Sequence, residues 1–98
     1  MQAQHFAQPV DKVYAAALAT AKDMQFEVTG QSPEKGEIQA VATTMVFRFK
    51  DDVTISVAKK DNFTLVNVRS RSRVGKGDLG ANARRIRDFQ ARLAARLQ

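Results

Sequence analysis

Apolar residues recur at two different spacings along this chain, and the change of spacing divides it into elements. Val10, Val13, Tyr14, Ala17, Ala21 and Met24 lie three and four residues apart, on one face of a helix. Pro9 stands where the first turn begins, and its missing N–H costs nothing there. The alanine-rich run from Ala15 to Ala21 favours helix and allows close approach to a sheet. A first helix is therefore predicted from Pro9 to about Met24, after a short edge strand within Gln2 to Ala7.

Period two then takes over. Phe26 and Val28 alternate with Glu27 and Thr29, as in a half-buried strand. Gly30 to Gly36, with Pro33, reads as a polar loop. Ile38, Ala40 and Ala42 share one face of a strand from Glu37 to Thr44. Phe47, Phe49, Val53, Ile55 and Val57 share one parity in a strand from Met45 to Val57, bent near Thr44 to Val46. Lys59 to Asn62 is a turn by composition, and Phe63 to Val74 returns as the second arm of a hairpin. Pairing Ala58 with Phe63 sets Val53 against Val68 and Ile55 against Val66. Helical spacing resumes with Leu79, Ala83, Ile86, Gln90, Leu93 and Leu97, so the last helix runs from about Leu79 to the C-terminus.

This order predicts one α+β domain over residues 1–98. The expected architecture is a two-layer sandwich, an antiparallel sheet of four to five strands with the N-terminal and C-terminal helices packed on one face. The other sheet face is expected to be polar and exposed.

Charge gives that face a character. In the predicted register Asp52 faces Arg69, Lys50 faces Arg71 and Arg48 faces Arg73. Five cations, Arg48, Lys50, Arg69, Arg71 and Arg73, then share one side. Like charges directly opposite are destabilising, so the cluster asks for counter-charges. Asp52, Glu37, Glu27 or a bound anion would supply them. The net charge of +6 also favours an anionic partner.

Composition removes several chemistries. There is no cysteine, hence no disulfide, thiol nucleophile or thiolate metal site. His5 is the only histidine, so neither a His-based metal site nor a Ser-His-Asp triad has its parts. Asp51 and Asp52 are adjacent in a strand and point to opposite faces, so they are no acid–base pair. Ser70 and Ser72 have no base nearby in the sequence. No enzyme activity, cofactor or metal is expected. No apolar run is long enough to span a membrane and no signal peptide is visible. The compartment is not fixed by this: cytoplasmic by default, envelope-associated if the chain is cut from a longer protein.

Gly75-Lys76-Gly77-Asp78-Leu79-Gly80 matches the dinucleotide pattern G-x-G-x-x-G literally. The fingerprint needs a second strand after the helix and an acid about 20 residues on, and neither follows here. Asp78 reads instead as the N-cap of the last helix, worth roughly 1 kcal/mol. Lys76 beside that helix start is a candidate anion ligand, although Asp78 would repel a phosphate.

Three blocks, FKDDV (Phe49 to Val53), VRSRSRVG (Val68 to Gly75) and DLGANARRI (Asp78 to Ile86), resemble domain-of-unknown-function family 1499. Its members are uncharacterised and mainly bacterial, and the similarity runs from Val10 to Leu93. The family pattern favours the pair Asp51 and Asp52, then Arg73, Gly75, Asp78, Gly80, Asn82 and Arg85-Ile86. It more usually has Ser where this chain has Gly77, which makes that glycine incidental. The Cys-containing N-terminal segment of many members is absent, so the resemblance implies a core module alone. Some relatives carry membrane-spanning segments ahead of it. The resemblance implies no activity.

These residues all have structural readings. Asp78 caps, Asn82 bonds the loop backbone, and Arg73 pairs with Asp51 or Asp52 to fix the hairpin against the last helix. Arg84, Arg85, Arg87, Arg92 and Arg96 surround that helix like a solvated face. The functional expectation is a non-catalytic module that binds a protein or small ligand. The alternative is anion, phosphate or nucleic-acid binding through Arg48, Lys50, Arg69, Arg71, Arg73 and Lys76, with the Gly75–Gly80 loop. Nucleic acid is the weaker partner class, because no aromatics interleave with the arginines as stacking platforms.

Overall fold

The computed structural model describes residues 3–44, 48–73 and 79–98. The elements are β1 (Gln4–Phe6), α1 (Val10–Asp23), β2 (Glu27–Ser32), β3 (Glu37–Thr43), β4 (Lys50–Lys60), β5 (Phe63–Ser72) and α2 (Leu79–Arg96). The strands form one sheet in the order β1-β5-β4-β3-β2, every neighbouring pair antiparallel. The fold is α+β, with a five-stranded antiparallel sheet and two helices, in the element order the pattern predicts.

The first helix starts and stops for local reasons. Pro9 is extended, and its carbonyl accepts the Val13 N–H at 3.0 Å. At the other end Gln25 takes φ 63. Its N–H then reaches the Lys22 carbonyl and the Phe26 N–H reaches the Ala21 carbonyl, the paired bonds of a Schellman stop. Tyr14 is buried and its hydroxyl donates to the Glu37 carbonyl at 3.0 Å, so the ring is core with its polar tip satisfied.

The sheet differs from the predicted one at three places. Strand β2 continues through Gly30 to Ser32, where a loop was expected, because a register shift after Val28 lets these residues keep pairing with β3. The turn is confined to Pro33–Gly36, closed by the Lys35 and Gly36 N–H groups. Gly36 has φ +70 and sits against β4, whose Val57 N–H donates to its carbonyl at 2.7 Å.

The hairpin register is the second difference. Lys60 pairs with Phe63 across Asp61 and Asn62, not Ala58 with Phe63. Asp61 takes φ 55, the left-handed conformation that a tight two-residue turn requires. The slip is two residues, so the faces survive and the partners change. Val53 meets Ser70, Ile55 meets Val68, Val57 meets Val66 and Asp52 meets Arg71.

Third, β4 begins at Lys50, not Met45. Phe49 precedes it and is 47% exposed, outside the core. Thr44 turns the chain here, its N–H donating to the Phe49 carbonyl and its Oγ1 accepting the Phe49 N–H. The expected bend at Met45 and Val46, together with Phe47, lies outside the described residues. So do Gly75, Lys76, Gly77 and Asp78, and with them the helix cap and the glycine loop.

One apolar cluster joins the elements. Val13, Ala17 and Ala21 of α1, Ile38 and Ala40 of β3, Val53 and Ile55 of β4, and Phe89 and Leu93 of α2 belong to it. Phe89 is fully buried although it is absent from the predicted stripe. The buried side of α2 is wider than that stripe and takes in Asn82 as well.

Candidate functional site

The apolar parity of β4 does not stop at Val53. Asp51 is next in the series that contains Val53, Ile55 and Val57, and it is as buried as they are. Opposite it in the register stands Ser72, with Ser70 opposite Val53. Both serines alternate with the exposed Arg69 and Arg71, so they share the face that carries Asp51. The buried patch of the sheet therefore ends in polar groups that need partners.

Helix α2 supplies them. Asn82 and Arg85 are three apart and so lie on one helix face. Arg85 Nη1 is 2.9 Å from Asp51 Oδ2, and the side chains are 13% and 4% exposed. The same nitrogen donates to Ser70 Oγ at 2.9 Å and to Asn82 Oδ1 at 2.8 Å. Ser70 Oγ donates to Asn82 Oδ1 at 2.6 Å, and Asn82 Nδ2 donates to Ser72 Oγ at 3.1 Å. Five side chains from two strands and one helix thus bond one another.

One expectation is corrected by this network. Arg85 is not part of a solvated helix face but the main tie between hairpin and helix. Asn82 bonds the two serine side chains, and the loop backbone expected as its partner lies outside the described residues. The sequence carried a usable signal. Asn82 and Arg85 continue the buried stripe of Ile86, Phe89 and Leu93 toward the helix start, while Asp51 continues the parity of Val53.

Arg73 meets Asp52, one of the two partners expected of it, but the pair does not tie the hairpin to the last helix. Its guanidinium forks onto Asp52, with Nε at 3.1 and 3.2 Å from the two carboxylate oxygens and Nη2 at 2.9 Å from Oδ1. Both side chains are about half exposed, at 49% and 54%. The pair lies on the sheet face opposite Asp51, away from α2. The Arg73 hydrogen bond, helped by its charge and opposed by slight desolvation, holds the Asp52 carboxyl below the usual carboxylate range. Asp52 in turn raises Arg73, with a smaller contribution from Glu27.

Four of the five expected cations, Lys50, Arg69, Arg71 and Arg73, occupy that face. Arg48 does not. It has φ 56 and precedes β4. It lines a cleft of about 730 Å³ with Arg84, Arg85 and Asp88 of α2, Met24 and Phe26 after α1, and Ala42 and Thr43 of β3. Asp88 is also 3.2 Å from Arg92. Gly80 is the second residue of α2 and is exposed. Among the described residues no group of three or more His, Asp or Glu is placed to hold a metal ion. No helix among them is long and apolar enough to cross a membrane.

No curated protein matches the chain. A family model described as "Protein of unknown function (DUF1499)" matches residues 1–93, nearly the whole length and including every residue of the buried network. The chain belongs to the DUF1499 family.

Proposed function

We propose that this chain is a non-catalytic binding module whose site is the cleft between α2 and the β3–β4 turn, and whose ligand is a small molecule with an oxyanion group. The observation that carries this reading is the convergence of Arg48, Arg84 and Arg85 on one cleft floored by the buried Phe26 and Ala42. Guanidinium forks match carboxylate and phosphate oxygens. The apolar floor suits a short hydrocarbon or aryl group behind the anion, as in most small-molecule sites. Arg85 is pre-organised, because its contacts to Asp51, Ser70 and Asn82 all run through Nη1. Among the described residues, no hydrogen bond runs from its Nε or Nη2.

A two-layer arrangement, with both helices on the sheet face that carries Asp51, accompanies this reading. It is supported by the shared apolar cluster of α1, α2, β3 and β4. The opposite face, with Lys50, Arg69, Arg71 and Arg73, is the weaker anion site. Asp52, Glu27 and Glu37 share it, and Arg73 is already committed to Asp52. Ser70 donates to an amide oxygen and accepts from a guanidinium, so neither neighbour acts as a base toward it.

The test is calorimetric titration at low salt with inorganic phosphate, hexyl phosphate and hexanoate, on the parent, Arg48→Ala, and an Arg69→Ala/Arg71→Ala control. Loss of one charge-assisted hydrogen bond is worth about 1.5–3 kcal/mol, so Arg48→Ala should weaken binding at least about tenfold and the control should bind normally. Absence of binding by all three ligands, or weakening confined to the control, overturns the reading.

A further inference from the structure

The arginine cleft opens at one end of the molecule. Strand β3 ends and β4 begins there, and α2 brings Ala81, Arg84 and Arg85 to the same place. Arg48, Phe49 and Lys50 run consecutively beside the cleft, and all three are exposed. Phe49 is held to Thr44, which lines the cleft, by its N–H and its carbonyl. An aromatic side chain, 47% exposed, is thus fixed at the rim with a cation on either side of it in the chain.

Charge is unevenly divided between the two ends. At the cleft end Asp51 is taken up by Arg85, Asp52 by Arg73 and Asp88 by Arg92. Glu27 adds to the hold on Arg73. Among the described residues no ion pair takes up Arg48 or Lys50. At the opposite end Pro33, Asp61 and the start of α1 surround a separate hollow. Acids and bases are interleaved there: Asp11 with Lys12, Glu34 with Lys35, Asp61 with Lys59 and Lys60. The excess of positive charge therefore lies toward the cleft.

A cationic rim around an exposed aromatic ring selects its partner. A free anion would enter the cleft and leave Phe49 in water. An acidic protein would match the cations but would need a pocket of its own for the ring. An anionic bilayer offers phosphate and hydrocarbon at every point of its surface. Basic side chains are drawn to its headgroups, and a Phe beside them sits at the boundary of headgroups and acyl chains. We infer that the cleft end docks on an anionic membrane surface, with Phe49 inserted at that boundary and a lipid phosphate as the oxyanion in the cleft. This inference rests on the reading of the cleft as an oxyanion site.

The chain has no tryptophan, so Phe49→Trp and Phe63→Trp each provide a single reporter, one at either end. Both positions are about half exposed, at 47% and 51%. The probes are vesicles of phosphatidylcholine alone, or of phosphatidylcholine and phosphatidylglycerol in equal parts. On the mixed vesicles Phe49→Trp emission should move to the blue and be quenched by brominated acyl chains, while Phe63→Trp emission stays in place. Phosphatidylcholine alone should leave both unchanged. Phe49→Ser should weaken cosedimentation with the mixed vesicles about tenfold, yet bind hexyl phosphate in solution like the parent. Hexyl phosphate binding without a Phe49→Trp shift on mixed vesicles overturns this inference and leaves the cleft reading standing. Equal shifts at both reporters, or vesicle binding unchanged in Phe49→Ser, also overturn it. The Phe49→Trp shift without any hexyl phosphate binding supports the docking face and overturns the cleft reading.

Discussion

The Arg85 guanidinium lies 2.9 Å from the Asp51 carboxylate, nearly out of reach of solvent, and joins α2 to the middle strand of the sheet. Removing either partner leaves the other charge buried without its counter-ion, which typically costs about 3–5 kcal/mol. Asp51→Ala and Arg85→Ala should each approach that loss in urea denaturation. A double variant should lose much less than the sum, since the residues act as one unit. Additive losses would mean that the two groups are satisfied independently.

Asn82 is the hinge between the serines and the arginine. Asn82→Ala removes the acceptor for Ser70 and Arg85 and the donor to Ser72. The expected cost is about 1–3 kcal/mol, that of leaving buried polar groups unpaired. A urea midpoint equal to that of the parent would contradict the network.

Gly36 is required for space as well as conformation. A Cβ there would sit 1.9 Å from the Val57 carbonyl oxygen, and φ is +70. Gly36→Ala should lower stability by about 2 kcal/mol or more, because backbone clash and left-handed strain add. An unchanged thermal midpoint would show that the turn relaxes freely.

The Asp52–Arg73 pair makes a pH-dependent prediction of definite sign. Its bond to Arg73 holds the folded-state pKa of Asp52 below the unfolded value. The pair's contribution to stability is thus present above the unfolded pKa and lost as pH falls through the folded one. Because both groups are exposed, the effect on stability is small and the titration itself is the better readout. In Arg73→Gln the carboxyl carbon of Asp52 should titrate at higher pH than in the parent. Identical midpoints would show that Arg73 does not engage Asp52 in solution.

Much of the fold was legible because it rests on periodicity. The alternation of Ile38, Ala40 and Ala42, and of Val53, Ile55 and Val57, places those strands correctly, and the faces survive a two-residue error in register. The Asp61-Asn62 turn was harder, since Lys59 and Lys60 have the same polar composition and only the left-handed Asp61 distinguishes the tight turn. The buried network was legible in its members and not in its pairings, and the cleft beside it was legible only in Arg48. The family resemblance singles out Asp51, Asn82 and Arg85, but which arginine meets which aspartate depends on how α2 lies on the sheet. No local pattern encodes that. Arg48 was misplaced because the pattern extends the strand through it, whereas its left-handed backbone turns it toward α2.

The most direct test of the account is to watch the arginine side chains while an anion is added. The Nε–Hε resonances of Arg48, Arg84 and Arg85 would be followed by NMR during titration with hexyl phosphate, alongside those of Arg69 and Arg71. The account predicts saturable shifts of the first three with one common Kd, and only weak, salt-like drift of the other two. Saturable shifts confined to Arg69 and Arg71, or no saturable shift at any of the five, would contradict it.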